Sequence, residues 1–179
     1  GKSGNIPTIP QSTEAIGTYA GFLPMSLKET NTRKTLLENL NQSTALLLEV
    51  CAKIPNPDAI VYEGWTIKAV MGHITFWHES FARNVYDLAN DREPTPLRGT
   101  YSALNQKCLA EFEPLSIEAI VSRFARAHKL IQENILNDKI VMIPYRKGSR
   151  DYPPEEHLQV VNDHLKQHTK DIVTAINHA

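Results

Sequence analysis

Residues 65–91 read WTIKAVMGHITFWHESFARNVYDLAND, and the spacing of their apolar side chains decides the fold class. Ile67, Val70, Ile74, Trp77, Phe81, Val85 and Leu88 recur at three- and four-residue intervals, which places them on one side of a helix with 3.6 residues per turn. Thr66, directly before this run, is a predicted N-cap, because its hydroxyl can accept from a first-turn amide that has no partner inside the helix. The pattern ends near Asp91, and Pro94 and Pro96 open a connection.

Upstream, Ser26 followed three residues later by Glu29 resembles a capping box, and Leu36, Leu37, Leu40, Leu47 and Leu48 then recur at helical spacing. A first helix is predicted over about 27–53, stopped by Pro55 and Pro57. Residues 1–25 hold four of the eight glycines and three of the eleven prolines without a sustained apolar period, which reads as an extended arm. Met25 is a candidate native start behind added residues.

Downstream, a shorter helical piece runs from about Ser102 to Glu111 and is closed by Pro114. Ser116 caps a third long helix with the stripe Ile117, Ile120, Val121, Phe124, Ile131 and Ile135, fading near Asn137. Asp138 to Tyr152, with Pro144, Gly148 and the basic residues Arg146, Lys147 and Arg150, reads as a loop or brief extended excursion over one end of the molecule. Pro153 and Pro154 with Glu155 and Glu156 give the proline-plus-acid first turn that suits a helix macrodipole, so a fourth long helix is expected to about Asn177. No segment alternates convincingly like a strand. The expected fold is all-α: a four-helix bundle, antiparallel or with a crossover, carrying an extra short helix, with 1–25 as an arm and 26–179 as the bundle domain.

Composition excludes several function classes. Nineteen basic and twenty acidic residues nearly cancel and are scattered, so the basic stripe of a nucleic-acid binder is missing. No apolar run reaches the roughly 18–20 residues of a bilayer span, and no basic segment leads into an apolar stretch at the amino terminus. A cytoplasmic protein is expected, with no nucleic-acid or membrane partner. Cys51 and Cys108 lack the close pairing of a redox or zinc motif and read as core thiols.

The histidines point to chemistry. His164 and His168 are four residues apart, about 6 Å along a helix axis, so both imidazoles can aim at one point. His157, Val161, His164, His168 and Ala175 border the Leu158, Leu165 and Ile172 core positions, so these histidines should face inward, where buried imidazoles need partners. His73, beside the Val70, Ile74 and Trp77 side of its helix, is the best third ligand from a facing helix. His128 reads as a hydrogen-bonded core histidine. His157, roughly 10 Å along the axis from His164, is too far to share an ion and could line an entrance. His78, about 140 degrees around its helix from His73, and His178, at the carboxyl end, are expected to be solvated. Trp65 and Trp77 read as packing anchors that could also contact a substrate. Glu79 and Asp163 read as surface carboxylates, with an outer-shell acceptor role as the alternative.

The stretch WTIKAVMGHITFW (residues 65–77) resembles the second-helix motif of the DinB/YfiT-like superfamily, and YSALNQKCLAEFEPLSIEAIVSRFARAH (residues 101–128) is similar to the middle region of its ClbS/DfsB branch. The resemblance spans roughly residues 27–177. It implies one histidine from the second helix and an HxxxH pair from the last, here His73, His164 and His168, holding a divalent transition metal. Three neutral imidazoles suit zinc or nickel first, and iron or manganese as well, with a position left for water or substrate. It further implies a metal-dependent hydrolase or thiol-dependent transferase acting on a small reactive molecule, with a low-molecular-weight thiol as one candidate partner and a homodimer as one candidate assembly. Two other readings stay open: a non-catalytic small-molecule or metal-binding bundle, its ion closed by a fourth ligand such as His128, and a metal-free ClbS-like protective hydrolase.

Overall fold

In a computed structural model, residues 26–178 are described, with side chains from Thr32 onward, so the expected arm and the side chains of the Ser26/Glu29 capping box lie outside the described residues. The order of elements is α1 (Ser26–Cys51), β1 (Ile60–Tyr62), β2 (Trp65–Thr66), α2 (Ile67–Ala89), α3 (Tyr101–Phe112), α4 (Ile117–Asn134) and α5 (Pro154–His178). The all-α bundle with one extra short helix is therefore present, with helix bounds within about three residues of those expected from periodicity.

The caps explain that agreement. Thr66, Thr100 and Ser116 have extended backbones, and their hydroxyls accept from the amides of Ala69, Ala103 and Ala119, each at 3.1 Å. Each hydroxyl satisfies one amide that the helix itself leaves unpaired. α5 opens with Pro154, which has no amide to leave unpaired, and with Glu155 and Glu156 in its first turn.

One element contradicts the sequence reading. Ile60–Tyr62 and Trp65–Thr66 pair as a small antiparallel hairpin, with an irregular register and Gly64 at φ 79° in its turn. Five residues of strand are too few for alternation to register, and the positive φ is one that glycine adopts without steric cost. The hairpin buries Trp65 completely and delivers the chain to the N-cap of α2.

Side-chain pairs fix the helix directions. Arg33 pairs with Glu155 and Ser43 with Asn162, so α1 and α5 run the same way. The His73 ring meets His168 and the Phe81 ring meets His157, so α2 runs against α5. Lys68 near the start of α2 reaches the Glu113 carbonyl before α4, His78 meets His128 midway, and Asp91 pairs with Lys139 beyond both helices, so α2 and α4 are parallel. Parallel neighbours need a return path. α3 provides it by lying against α2 in the opposite sense, Tyr101 near Trp77 and Phe112 on Gly72. The crossover alternative is thus the one adopted.

α2 is consequently packed by α3, α4 and α5, and it buries polar residues on several sides, among them His73, Thr75, His78, Ser80 and Asn84. The apolar core is built on Leu40, Leu47, Val70, Ile120, Phe124, Ile131, Leu158 and Ile172.

Gly72 sets the approach of α3. A Cβ there would lie 2.8 Å from Cβ and 3.0 Å from Cγ of Phe112, whose ring is buried and covered by the Arg123 guanidinium at 4.4 Å. Helix propensity alone favours alanine over glycine by about 1 kcal/mol, whereas overpacking costs about 1–3 kcal/mol. Gly72→Ala is expected to destabilise the protein by up to about 2 kcal/mol on balance, read as a lowered urea midpoint at unchanged slope. A raised midpoint would show that α3 yields freely.

Candidate functional site

A cavity opens between α2 and α5, with the 143–152 segment across it. Along α2 its wall is His73, Ile74, Trp77, His78, Ser80, Phe81 and Asn84, and along α5 it is His157, Val161, His164, Leu165 and His168, with Pro144 and Tyr145 completing it. Two antiparallel helices therefore bring all three sequence-predicted ligands to one cavity. The covering segment is pinned: Ile143 and Tyr152 bridge to each other, Leu97 bridges to Arg146, Asn84 donates to the Pro144 carbonyl at 3.1 Å, and Tyr145 stacks on Trp77 with ring centres 5.1 Å apart. The expected brief extended excursion over one end is what the chain forms. Trp77 is one wall of the cavity, and Trp65 packs edge-on to His73 at 6.0 Å.

His73 and His168 are buried and their rings are edge to face, 5.3 Å between centres, while His164 is half-buried. Burial is the first cause that pushes His73 down to about 3 and His168 to about 4, and the like charge each would carry adds to it. His164 is lowered as well, again chiefly by burial. All three are therefore neutral near pH 7, the form in which imidazole can be a ligand. His73 Nδ1 is buried, and the polar group beside it is the Asn105 side chain, which is close enough to oppose the lowering of His73 but falls short of hydrogen-bond geometry.

The donors suit a transition ion. Two imidazoles on one tetrahedral ion at about 2.0–2.1 Å hold their ring centres about 5 Å apart, close to the His73–His168 spacing. Among the described residues, however, no group of three or more histidine, cysteine, aspartate or glutamate side chains is drawn together closely enough in this conformation to hold an ion.

His78 corrects the sequence reading. It is buried, not solvated: its Nε2 lies 3.0 Å from His128 Nδ1, and its ring packs on Phe124 at 4.6 Å. Its side of α2 faces α4, a packing that one helix's apolar stripe does not disclose. His128 Nε2 lies 2.8 Å from the Asn41 carbonyl oxygen, so that nitrogen is the donor, Nδ1 accepts, and His78 Nε2 carries the proton between the rings. His128 is the hydrogen-bonded core histidine expected from sequence. His157 is buried against Phe81, ring centres 4.2 Å apart, and its Nδ1 is a second buried nitrogen without a partner.

Of the two carboxylates read as surface groups, Glu79 takes a bidentate pair from Arg123, and Asp163 accepts from Gln159 while its charge opposes the lowering of His164. The groups that reach His168 lie outside the candidates read from sequence. Tyr62 of β1 lies 3.1 Å from His168 Nδ1 and hydrogen-bonds Asp171. Asp171 could have been found, being three residues after His168 and so on a neighbouring helical position. Nothing in the sequence places Tyr62, whose position depends on the hairpin. Cys51 and Cys108 are free thiols that burial pushes up to about 12, as core thiols should be.

The buried imidazoles make stability depend on pH. Burial lowers His128 to about 4 and His157 to about 3 from an unfolded value near 6.5. Between those values the unfolded chain binds more protons, so stability is complete above about pH 6.5 and falls as pH drops toward 4, by about 1.4 kcal/mol per pH unit for each such group. Urea midpoints at pH 7.5, 5.5 and 4.5 should show this decline, and His157→Phe should reduce its slope by one proton. A stability flat across that range would show that these rings are accessible to water.

No curated protein and no solved structure matches the chain. A family model described as the DinB superfamily matches residues 30–172, a span that runs from α1 almost to the end of α5 and includes His73, His164 and His168. The chain belongs to the DinB superfamily.

Proposed function

We propose that the chain is a metal-dependent enzyme acting on a small reactive molecule, with His73, His164 and His168 as ligands of one divalent transition ion. The observation that carries this reading is that three neutral imidazoles from two helices line one cavity, with the His73 and His168 ring centres 5.3 Å apart. His164, one turn before His168 and only half-buried, is the member with the freedom to close on an ion.

Zinc or nickel fits three imidazoles best, and iron or manganese is compatible. Such an ion supplies Lewis acidity and lowers the pKa of a water or thiol held on it, as hydrolysis or thiol transfer requires. A structural ion would need a fourth protein donor. His128, the first suspect, is turned to His78 and Asn41 instead.

The rest of the wall limits the substrate. Among the described residues the lining contains no aspartate, glutamate, lysine or arginine, so the protein offers no fixed side-chain charge to a bound molecule. Trp77 and Tyr145 present aromatic surface, and Ile74, Val161 and Leu165 present apolar surface. A small, largely apolar electrophile fits such a wall.

Protein purified without added metal should carry about one transition ion per chain by mass spectrometry. His73→Ala, His164→Ala and His168→Ala should each lose most of it with helicity retained, and His128→Ala should keep it. Full metal content in the three variants, or none in the parent after incubation with zinc and nickel, removes the assignment.

An open coordination position gives a second test. Cobalt-loaded protein titrated with a small thiol at fixed pH should change its visible absorption, and His168→Ala should not respond. Unchanged spectra up to millimolar thiol, the weak end of ordinary affinities, would favour a non-catalytic bundle.

A further inference from the structure

Tyr62 stands outside the helices that carry the histidines, yet its hydroxyl joins two groups on α5. It lies 3.1 Å from His168 Nδ1 and hydrogen-bonds Asp171 Oδ2, while Asp171 Oδ1 accepts from Gln167 at 3.1 Å. A phenol has one proton to give, and an ionised carboxylate can only accept. The Tyr62 proton therefore goes to Asp171, and the contact with His168 is satisfied only if Nδ1–H donates to the phenol oxygen.

We propose that Tyr62 and Asp171 fix the tautomer of His168, holding its proton on Nδ1 so that Nε2 offers a bare lone pair on the ring edge away from Tyr62. His168 lines the cavity, with the His73 ring 5.3 Å away. The tautomer follows from hydrogen bonding alone, and its use as a ligand rests on the metal reading above. Burial, and then the neighbouring Asp171, raise the Tyr62 phenol above its usual range, so the phenol keeps the proton it donates.

The arrangement makes Tyr62 a positioning residue, acting through His168. Ligating histidines usually give their second N–H to a carboxylate or carbonyl. Here the phenol is inserted between imidazole and carboxylate, and the hairpin, absent from any helix-period reading, carries it there.

The two partners should fail in different directions. Tyr62→Phe removes the acceptor and leaves Nδ1–H unpaired, so neither tautomer is enforced. Asp171→Ala frees the phenol proton to turn toward Nδ1, which drives the imidazole proton to Nε2 and occupies the ligand position.

The test uses the full chain, free of metal, labelled with 15N histidine and observed by long-range proton–nitrogen correlation at pH 7.5, with His168→Ala to assign the signal. The parent should show His168 as the Nδ1–H tautomer, Tyr62→Phe a mixture, and Asp171→Ala the Nε2–H form, at equal helicity by circular dichroism. Zinc affinity, measured by competition with a chelator, should fall about 10- to 100-fold in both variants. An Nε2–H parent, or parent-like zinc affinity in both variants, overturns the proposal. A parent that shows the expected tautomers but binds no zinc supports the fixed proton and counts against the metal reading alone.

Discussion

Removing imidazole from water is the constraint that shapes this protein. His73, His78, His128, His157 and His168 are all buried within one bundle, where a charged ring is penalised and a neutral ring still needs partners for two nitrogens. The fold meets that demand unequally. His78 and His128 satisfy each other and Asn41, and His168 has Tyr62. His73 and His157 each keep a buried nitrogen without a partner. Of these five, all but His128 line the cavity between α2 and α5.

The helix order produces the contrast. Because α2 and α4 run in parallel, α3 must return along α2, and α2 becomes the helix from which both histidine clusters extend. One side of it meets α4, where His78 finds His128. Another meets α5, where His73 finds His168. Five residues before the start of α2, Tyr62 at the end of β1 reaches α5, and the 143–152 segment places Tyr145 on Trp77. The site is thus assembled from two helices of the bundle and two short connections whose positions the bundle fixes.

The legible and illegible parts of the sequence divide along the same line. Helix periods, the Thr66 and Ser116 caps, and the proline-plus-acid opening of α5 are local signals, and the structure follows them. His73, His164 and His168 were legible as candidates because four-residue spacing and a stripe beside the core place residues on a face without knowledge of the partner helix. That they line one cavity is a tertiary fact consistent with this reading, while their ligation is a separate matter. His78 was misplaced because burial on a second side of α2 depends on which helix packs there. Tyr62 was invisible because its role requires a hairpin of five strand residues and a contact with residues more than a hundred positions away. Asp171, three positions from His168, was within reach of helical spacing.

The central claim is that the three histidines share one ion, and X-ray absorption at the edge of a metal bound in solution tests it most directly. With one equivalent of zinc, the first shell should fit three imidazole nitrogens at about 2.0–2.1 Å, with the outer-shell scattering of three rings, and His164→Ala should lower that number by one. A first shell dominated by carboxylate oxygen, or one that keeps three imidazoles in His164→Ala, would contradict the account.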